Sequence, residues 1–207
     1  EAQGVGIAAH LFSCGGAKDT SFLDTFPTDD EIAALKQRKF PTREKAAELA
    51  MRETIEAAHA EGDSLGGLIE CTVDNVPIGL GEPFWDSAES LISHAVFSIP
   101  GIRGIEFGDG FKAAAMKGSE HNDPFGPEGP VKNGAGGING GISNGAPIVF
   151  RVAVKPTSSI LKPQRTYNFT TEKMATLQIK GRHDVCFALR TPVIVEAMTA
   201  LVLADLV

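Results

Sequence analysis

From Thr191 to Val207 the chain is apolar on every side apart from Glu196 and Asp205. A helix with that pattern has no solvent face of its own, so it predicts an element buried inside whatever the chain builds. Thr191 as cap and Pro192 at the first helical position mark its start. It falls short of the roughly 20 apolar residues that span a bilayer, so no membrane partner is expected. Directly ahead stands Lys180-Gly181-Arg182-His183-Asp184-Val185-Cys186. A guanidinium, an imidazole and a carboxylate beside a core element are costly unless something compensates them. Chemistry is expected there first.

The rest of the chain switches between the two hydropathy periods. Val5–Phe12 predicts a strand, and Glu1–Gly4 before it resembles a helix end capped by glycine, as though a longer polypeptide continued here. Asp29 or Asp30 can cap a short helix to about Arg38. Pro41-Thr42 opens a longer helix to about Ala60, with Ala46, Leu49, Ala50, Ile55 and Ala58 on its apolar face. A strand at Gly66–Val73, a turn-rich connection at Gly79–Pro83 and a helix over Asp86–Ser98 follow. Ile102–Phe107 and Ala146–Lys155 alternate as strands do. Between them lie a short helix at Lys112–Met116 and a polar, proline-bearing loop at Gly118–Lys132; Lys173–Ile179 is a weaker strand. The connections are not those of regular βαβ units. The class expected is α/β in the broad sense, of the α+β type, with helices packed on mainly antiparallel sheet. At 207 residues and 43% hydrophobic, the chain can fill one good core, taken as a single domain over residues 1–207.

A formal charge of −7 argues against a nucleic-acid partner, which needs clustered excess Lys and Arg. Three widely spaced cysteines, Cys14, Cys71 and Cys186, predict reduced thiols in a cytoplasmic setting. No metal is expected, because His183-x-x-Cys186 lacks a second half-site at ligand spacing. His10 and His94 lie on apolar faces and predict satisfied core histidines, and His59 a solvent-side one.

Two segments suit a ligand. Asn133–Gly145 holds six glycines in thirteen residues, a composition that fits either a tightly turned loop or close backbone approach to a ligand. Lys155-Pro156-Thr157-Ser158-Ser159 offers one cation and three hydroxyls directly after a strand, which fits a phosphate cradle or an ordinary strand-ending turn. A hydrolase built from Ser119, His121 and Asp123 is disfavoured, because triad members come from separate elements.

Taken in order, these segments resemble the chorismate synthase family over essentially the whole chain. Gly181-Arg-His-Asp-Val-Cys186, with Arg190, Glu196 and Ala197-Met198 at fixed offsets, is similar to that family's C-terminal motif, with Val185 where the family has proline. Asp63-Ser64-x-Gly66-Gly67, Gly79-Leu-Gly-Glu-Pro83, Gly118–Asp123, Asn133–Gly145 and Lys155–Ile160 resemble further family segments.

The resemblance implies a carbon–oxygen lyase of the shikimate pathway of aromatic amino-acid biosynthesis. Its reaction converts 5-enolpyruvylshikimate 3-phosphate to chorismate by 1,4-anti elimination with reduced FMN. By position it implies flavin contacts at Pro100-Gly101 (where the family often has Asn-Ala), Gly140, Lys155, Pro156, Thr157, Ser158, Ser159 and Arg182. Asp184 matches the family's proton-removing aspartate. A homotetramer is implied for the family, with a dimer open to this chain. The family's Gly-Glu-Ser-His-Gly motif and Arg-Ser-Ser-Ala-Arg segment do not occur in these residues. The chain therefore resembles the C-terminal portion of the enzyme, expected to be inactive alone; the alternative is an assembly fragment with no functional flavin site.

Overall fold

The computed structural model describes residues 4–127 and 129–206. The helix end expected at Glu1–Gln3 lies outside the described residues, as does Val207. Strands β1 (Gly6–Cys14) and β2 (Ala17–Lys18) come first, followed by α1 (Asp29–Gln37), α2 (Lys45–Ala60) and β3 (Gly67–Asp74). Next come α3 (Ala88–Phe97), β4 (Ile102–Phe107), the one-turn α4 (Gly118–His121) and the hairpin β5 (Phe125–Gly126) and β6 (Gly129–Pro130). A second hairpin, β7 (Ile138–Asn139) and β8 (Ile142–Ser143), leads into β9 (Ile148–Val154). The hairpin β10 (Gln164–Asn168) and β11 (Lys173–Leu177) and the terminal α5 (Pro192–Leu206) complete the order.

Five strands form one antiparallel sheet in the order β2-β1-β3-β9-β4. Mixed helix on antiparallel sheet is the class the sequence predicts. Alternation sends Ala9, Leu11, Ile69, Cys71, Val73, Ile148, Phe150 and Val152 to one face, where they share a core with Met51 of α2, Ile92 and Val96 of α3, and Val195 and Leu203 of α5. The edge of β1 beyond β2 is closed by side chain and loop: Glu196 Oε1 accepts from Ala9 N–H at 2.7 Å and Pro41 O from Leu11 N–H at 2.7 Å.

The opposite face carries a polar row. His10, Glu70, Arg151 and Glu106 are register partners across β1, β3, β9 and β4. Asp19 Oδ2 and Glu70 Oε2 flank the two ring nitrogens of His10 at 3.0 and 3.1 Å, and Arg151 reaches Glu70 at 2.9 Å and Glu106 at 3.3 Å. Ser21 O–H and Phe22 N–H also donate to Glu70, and Phe22 packs with Leu35 and Val149 over the row. Burial alone would raise the Glu70 and Asp19 carboxyls. Hydrogen bonding to His10, with further donors from Ser21 and Phe22 for Glu70 and from Arg43 for Asp19, outweighs it and holds both below their ordinary values. His10 is thus a satisfied core histidine, as expected.

Several expectations are corrected. α1 is capped by Thr28, in a capping box with Glu31, one residue ahead of the aspartates named from sequence. α2 buries Ala47, Met51 and Ala58, while Leu49 of the expected apolar face is exposed, because the helix meets the sheet edge along a face rotated from the predicted one. His94 is exposed: α3 buries Ala88, Ile92 and Val96, spaced by four residues, and position 94 lies off that stripe. α5 is buried only along Pro192, Val195, Thr199 and Leu203, and Val193 and Leu201 are each 65% exposed. A helix apolar all round does not announce which side its neighbours cover.

Candidate functional site

One end of the sheet gathers most of the residues singled out from sequence. Lys155 directly follows β9, and its N–H donates to Gly101 O at 2.9 Å, so the Pro100-Gly101 turn before β4 and the Lys155 turn are joined. Gly101 holds φ +93 beneath Phe187, where a side chain would be strained. The following residues are tied to the loop before β3: Ser64 Oγ donates to Thr157 O at 2.6 Å. That loop in turn holds the polar segment ahead of α5, since Leu65 N–H donates to Val185 O at 2.7 Å. Gly66 permits the closeness, for a Cβ there would lie 2.6 Å from Val154 O.

Between these loops lies a cleft of about 100 Å³, lined by Ser64, Ser159, Arg182, His183 and Asp184 among others. Asp184 Oδ1 accepts from Arg190 Nη2 at 3.0 Å, which fixes one carboxylate oxygen and leaves the other available. His183 Nε2 is buried with no hydrogen-bond partner among the described residues. A buried imidazole nitrogen left unpaired is costly, and it lies in the cleft that also holds Arg182 and Ser159. A guanidinium, a hydroxyl and an unsatisfied ring nitrogen together suit an anionic oxygen group. At the cleft's margin Lys162 pairs with Asp63 at 2.9 Å and Glu61 at 3.0 Å; its hydrogen bond with Asp63 leads the causes that raise the Lys162 ammonium and lower the Asp63 carboxyl.

Arg182, Asp184 and Ser159 are therefore brought together, with Pro156, Thr157, Ser158, Lys155 and Pro100-Gly101 in the adjoining turns. Gly140 is not. It sits at the tip of the β7–β8 hairpin with φ +61, beside Gly141 at φ +91. Positive φ at both central residues is what a two-residue hairpin turn of this hand requires. The hairpin packs at the start of β9, so the length of that strand, roughly 20 Å, separates Gly140 from Lys155. The glycine-rich segment has a packing role: Gly136 and Gly137 lie where a Cβ would strike the backbone at Val149 O and Pro147 O. The alternative triad is not assembled either, because Asp123 uses both oxygens to accept from Gly134 and Ala135 N–H. Ser64 and Arg190 were not assigned to the site from sequence, although both stand in segments that resemble the family's, Arg190 six residues beyond Asp184.

The chorismate synthase family profile matches residues 1–207. A chorismate synthase of Chitinophaga pinensis is 59% identical over 153 residues, covering 73% of this chain and 46% of that protein. One of Korarchaeum cryptofilum is 44% identical over 209 residues, covering 99% of this chain and 57% of that protein. A solved chorismate synthase crystal structure superposes with TM-score 0.76 at 28% identity, covering 99% of this chain and 57% of that one. The chain thus spans about half the length of these relatives. In fold, in motif order and over its whole length, this chain belongs to the chorismate synthase family.

Proposed function

We propose that this chain, as one domain over residues 1–207, supplies part of the active site of an enzyme that eliminates phosphate and a proton from 5-enolpyruvylshikimate 3-phosphate to give chorismate. The observation that carries the reading is the convergence of Ser159, Arg182, His183 and Asp184 on one cleft. Arg182 and the Ser159 hydroxyl are suited to holding a phosphate, whether the substrate's or the cofactor's, and the unpaired His183 Nε2 can complete its hydrogen bonds there. Asp184, steadied by Arg190, is the proton acceptor: its second oxygen can take the proton while the first keeps the guanidinium.

Reduced FMN, when bound, supplies an electron transiently and recovers it, which eases departure of the allylic phosphate. The chain's residues fit part of that cofactor. The cleft, at about 100 Å³, is well below the roughly 300–1,000 Å³ of complete ligand pockets, so it suits a phosphate group and not a three-ring flavin as well. Lys155, Pro156, Thr157, Ser158, Pro100 and Gly101 adjoin it and are assigned to the flavin by position in the family, as is Gly140 at the tip of the β7–β8 hairpin. The chain is accordingly inactive alone. Self-association follows the family's homotetramer, and a cytoplasmic location follows its biosynthetic role.

The test is FMN binding to the 207-residue chain, oxidised and reduced, by flavin fluorescence with and without 5-enolpyruvylshikimate 3-phosphate. Weak binding that Arg182→Ala abolishes is expected. Equal binding by the variant would remove Arg182 from the site, and turnover by the chain alone would overturn its inactivity. No flavin binding at all would favour the second reading, an assembly fragment, which the small volume of the cleft also supports.

A further inference from the structure

Two of the three cysteines meet although 172 residues separate them: Cys14 Sγ and Cys186 Sγ lie 3.2 Å apart, sharing a hydrogen bond. Cys14 ends β1 and Cys186 ends the polar segment that contains Arg182 and Asp184. Cys14 is 0% and Cys186 6% exposed, and Val185, next to Cys186, lines the cleft. Cys71 is also buried, but its sulfur has a backbone carbonyl as neighbour, Thr72 O at 3.9 Å.

We propose that Cys14 and Cys186 form a reversible disulfide, a redox-sensitive clasp that fastens the Arg182–Asp184 segment to the end of β1. The inference rests on the placement of the two sulfurs and not on the enzymatic reading above. Closing the bond from 3.2 Å to the roughly 2.05 Å of a disulfide takes a small movement of side chains already in contact. The pair is also polarised for it. The shared hydrogen bond lowers the Cys186 thiol against the opposing effect of burial, while that same contact and burial push the Cys14 thiol well up. Cys186 is the more accessible of the two and adjoins Val185 of the cleft, so it meets an oxidant first.

With a hydroperoxide as oxidant, the Cys186 thiolate attacks the peroxide oxygen. The O–O bond breaks, water or an alcohol leaves, and Cys186 becomes a sulfenic acid. The Cys14 sulfur then attacks the Cys186 sulfur; the S–S bond forms, the S–O bond breaks, and Cys14's proton leaves with the hydroxyl as water. Two electrons pass from the thiol pair to the peroxide. A dithiol reductant reverses the bond by exchange.

The experiment treats the purified chain with hydrogen peroxide, alkylates it under denaturing conditions and maps it by mass spectrometry without reduction. Trypsin places the two sulfurs in peptides Glu1–Lys18 and His183–Arg190. These two should appear joined within one molecule, separate again with dithiothreitol, and leave Cys71 free to alkylate. In Cys14→Ser, Cys186 should accumulate as a dimedone-trapped sulfenic acid that the parent chain does not build up. On the parent chain alone, hydrogen exchange over residues 182–190 should slow several-fold on oxidation. Both thiols recovered free, over-oxidised singly or joined between molecules would overturn the disulfide. An oxidised form with unchanged exchange over 182–190 would overturn the clasp.

Discussion

Glu70→Gln is the most discriminating single change to the polar face of the sheet. The Glu70 carboxylate is fully buried, and its oxygens accept from Ser21 O–H at 2.7 Å, Phe22 N–H at 2.6 Å and Arg151 Nε at 2.9 Å, with His10 Nε2 at 3.1 Å. Glutamine keeps the volume, so no cavity forms, but it keeps one accepting oxygen only. The favoured orientation leaves that oxygen with Arg151 and Ser21 and turns the NH₂ toward Phe22 N–H, where two donors oppose one another. An unpaired buried N–H costs about 1–3 kcal/mol. The lost charge opposite the Arg151 guanidinium, whose side chain is 16% exposed, brings the expected loss to the about 3–5 kcal/mol typical of breaking a buried pair. At this chain length each kcal/mol moves Tm by about 2–4 °C, so thermal melts followed by circular dichroism should shift down by about 6–20 °C. Glu106→Gln is the internal control. It faces the same Arg151 and accepts from Phe111 N–H, but it is partly exposed where Glu70 is fully buried, so water can replace a lost partner, and it should cost about 1 kcal/mol. A Glu70→Gln loss below about 1 kcal/mol, or one no larger than the Glu106→Gln loss, would refute the account of the row as a dry network.

Acid should unfold the chain through Asp19 and Glu70. Both carboxyls are depressed when folded, so their stabilisation is present above the ordinary carboxylate range and disappears as pH falls through the folded values; the acid midpoint should lie below about pH 4. Loss of far-ultraviolet ellipticity between pH 5 and 6 would contradict this. Glu196 runs the opposite way: burial raises its carboxyl against the bond from Ala9 N–H, so it costs stability as pH rises through its folded value. Glu196→Gln should therefore match the parent chain at low pH and exceed it near pH 7 in urea denaturation, and equal midpoints at pH 7 would count against it. Gly66→Ala places a methyl 2.6 Å from Val154 O and 3.1 Å from Pro156, and should destabilise by about 1–3 kcal/mol while speeding hydrogen exchange at the Lys155 N–H that donates to Gly101 O. A neutral substitution would mean that the Lys155–Ser159 turn is not held against this loop.

The sequence revealed what depends on neighbours along the chain and missed what depends on the third dimension. β4 and β9 followed from alternation, and Pro192 marked the start of α5. β10 was missed because Gln164–Asn168 is polar and earns its strand only by pairing with Lys173–Leu177. Leu49 and His94 were turned the wrong way because helical periodicity gives a stripe and not its direction. Arg182 and Asp184 were legible as a cluster since they adjoin one another. The tie from Ser64 to Thr157 and that from Lys155 to Gly101 span long stretches of chain, and no local pattern encodes them. Gly140 was assigned with Lys155 by position in the family alone, and the β7–β8 hairpin sets it toward the end of β9 opposite to Lys155.

The row His10–Glu70–Arg151–Glu106 also acts as a proofreading device for sheet assembly. Side chains alternate between faces, so a slip of one residue in any pairing would drive a charged group among Ile69, Phe150 and Val152 and lift their methyl groups into the polar layer. Each of β1, β3, β9 and β4 holds one character of the code, and no pair of strands can verify the whole. His10 and Glu70 are 60 residues apart and Glu70 and Arg151 are 81 apart, so the check completes only after long loops have closed. The register of the four strands is therefore held in common, each pairing keeping its neighbour's polar residue on the same side of the sheet.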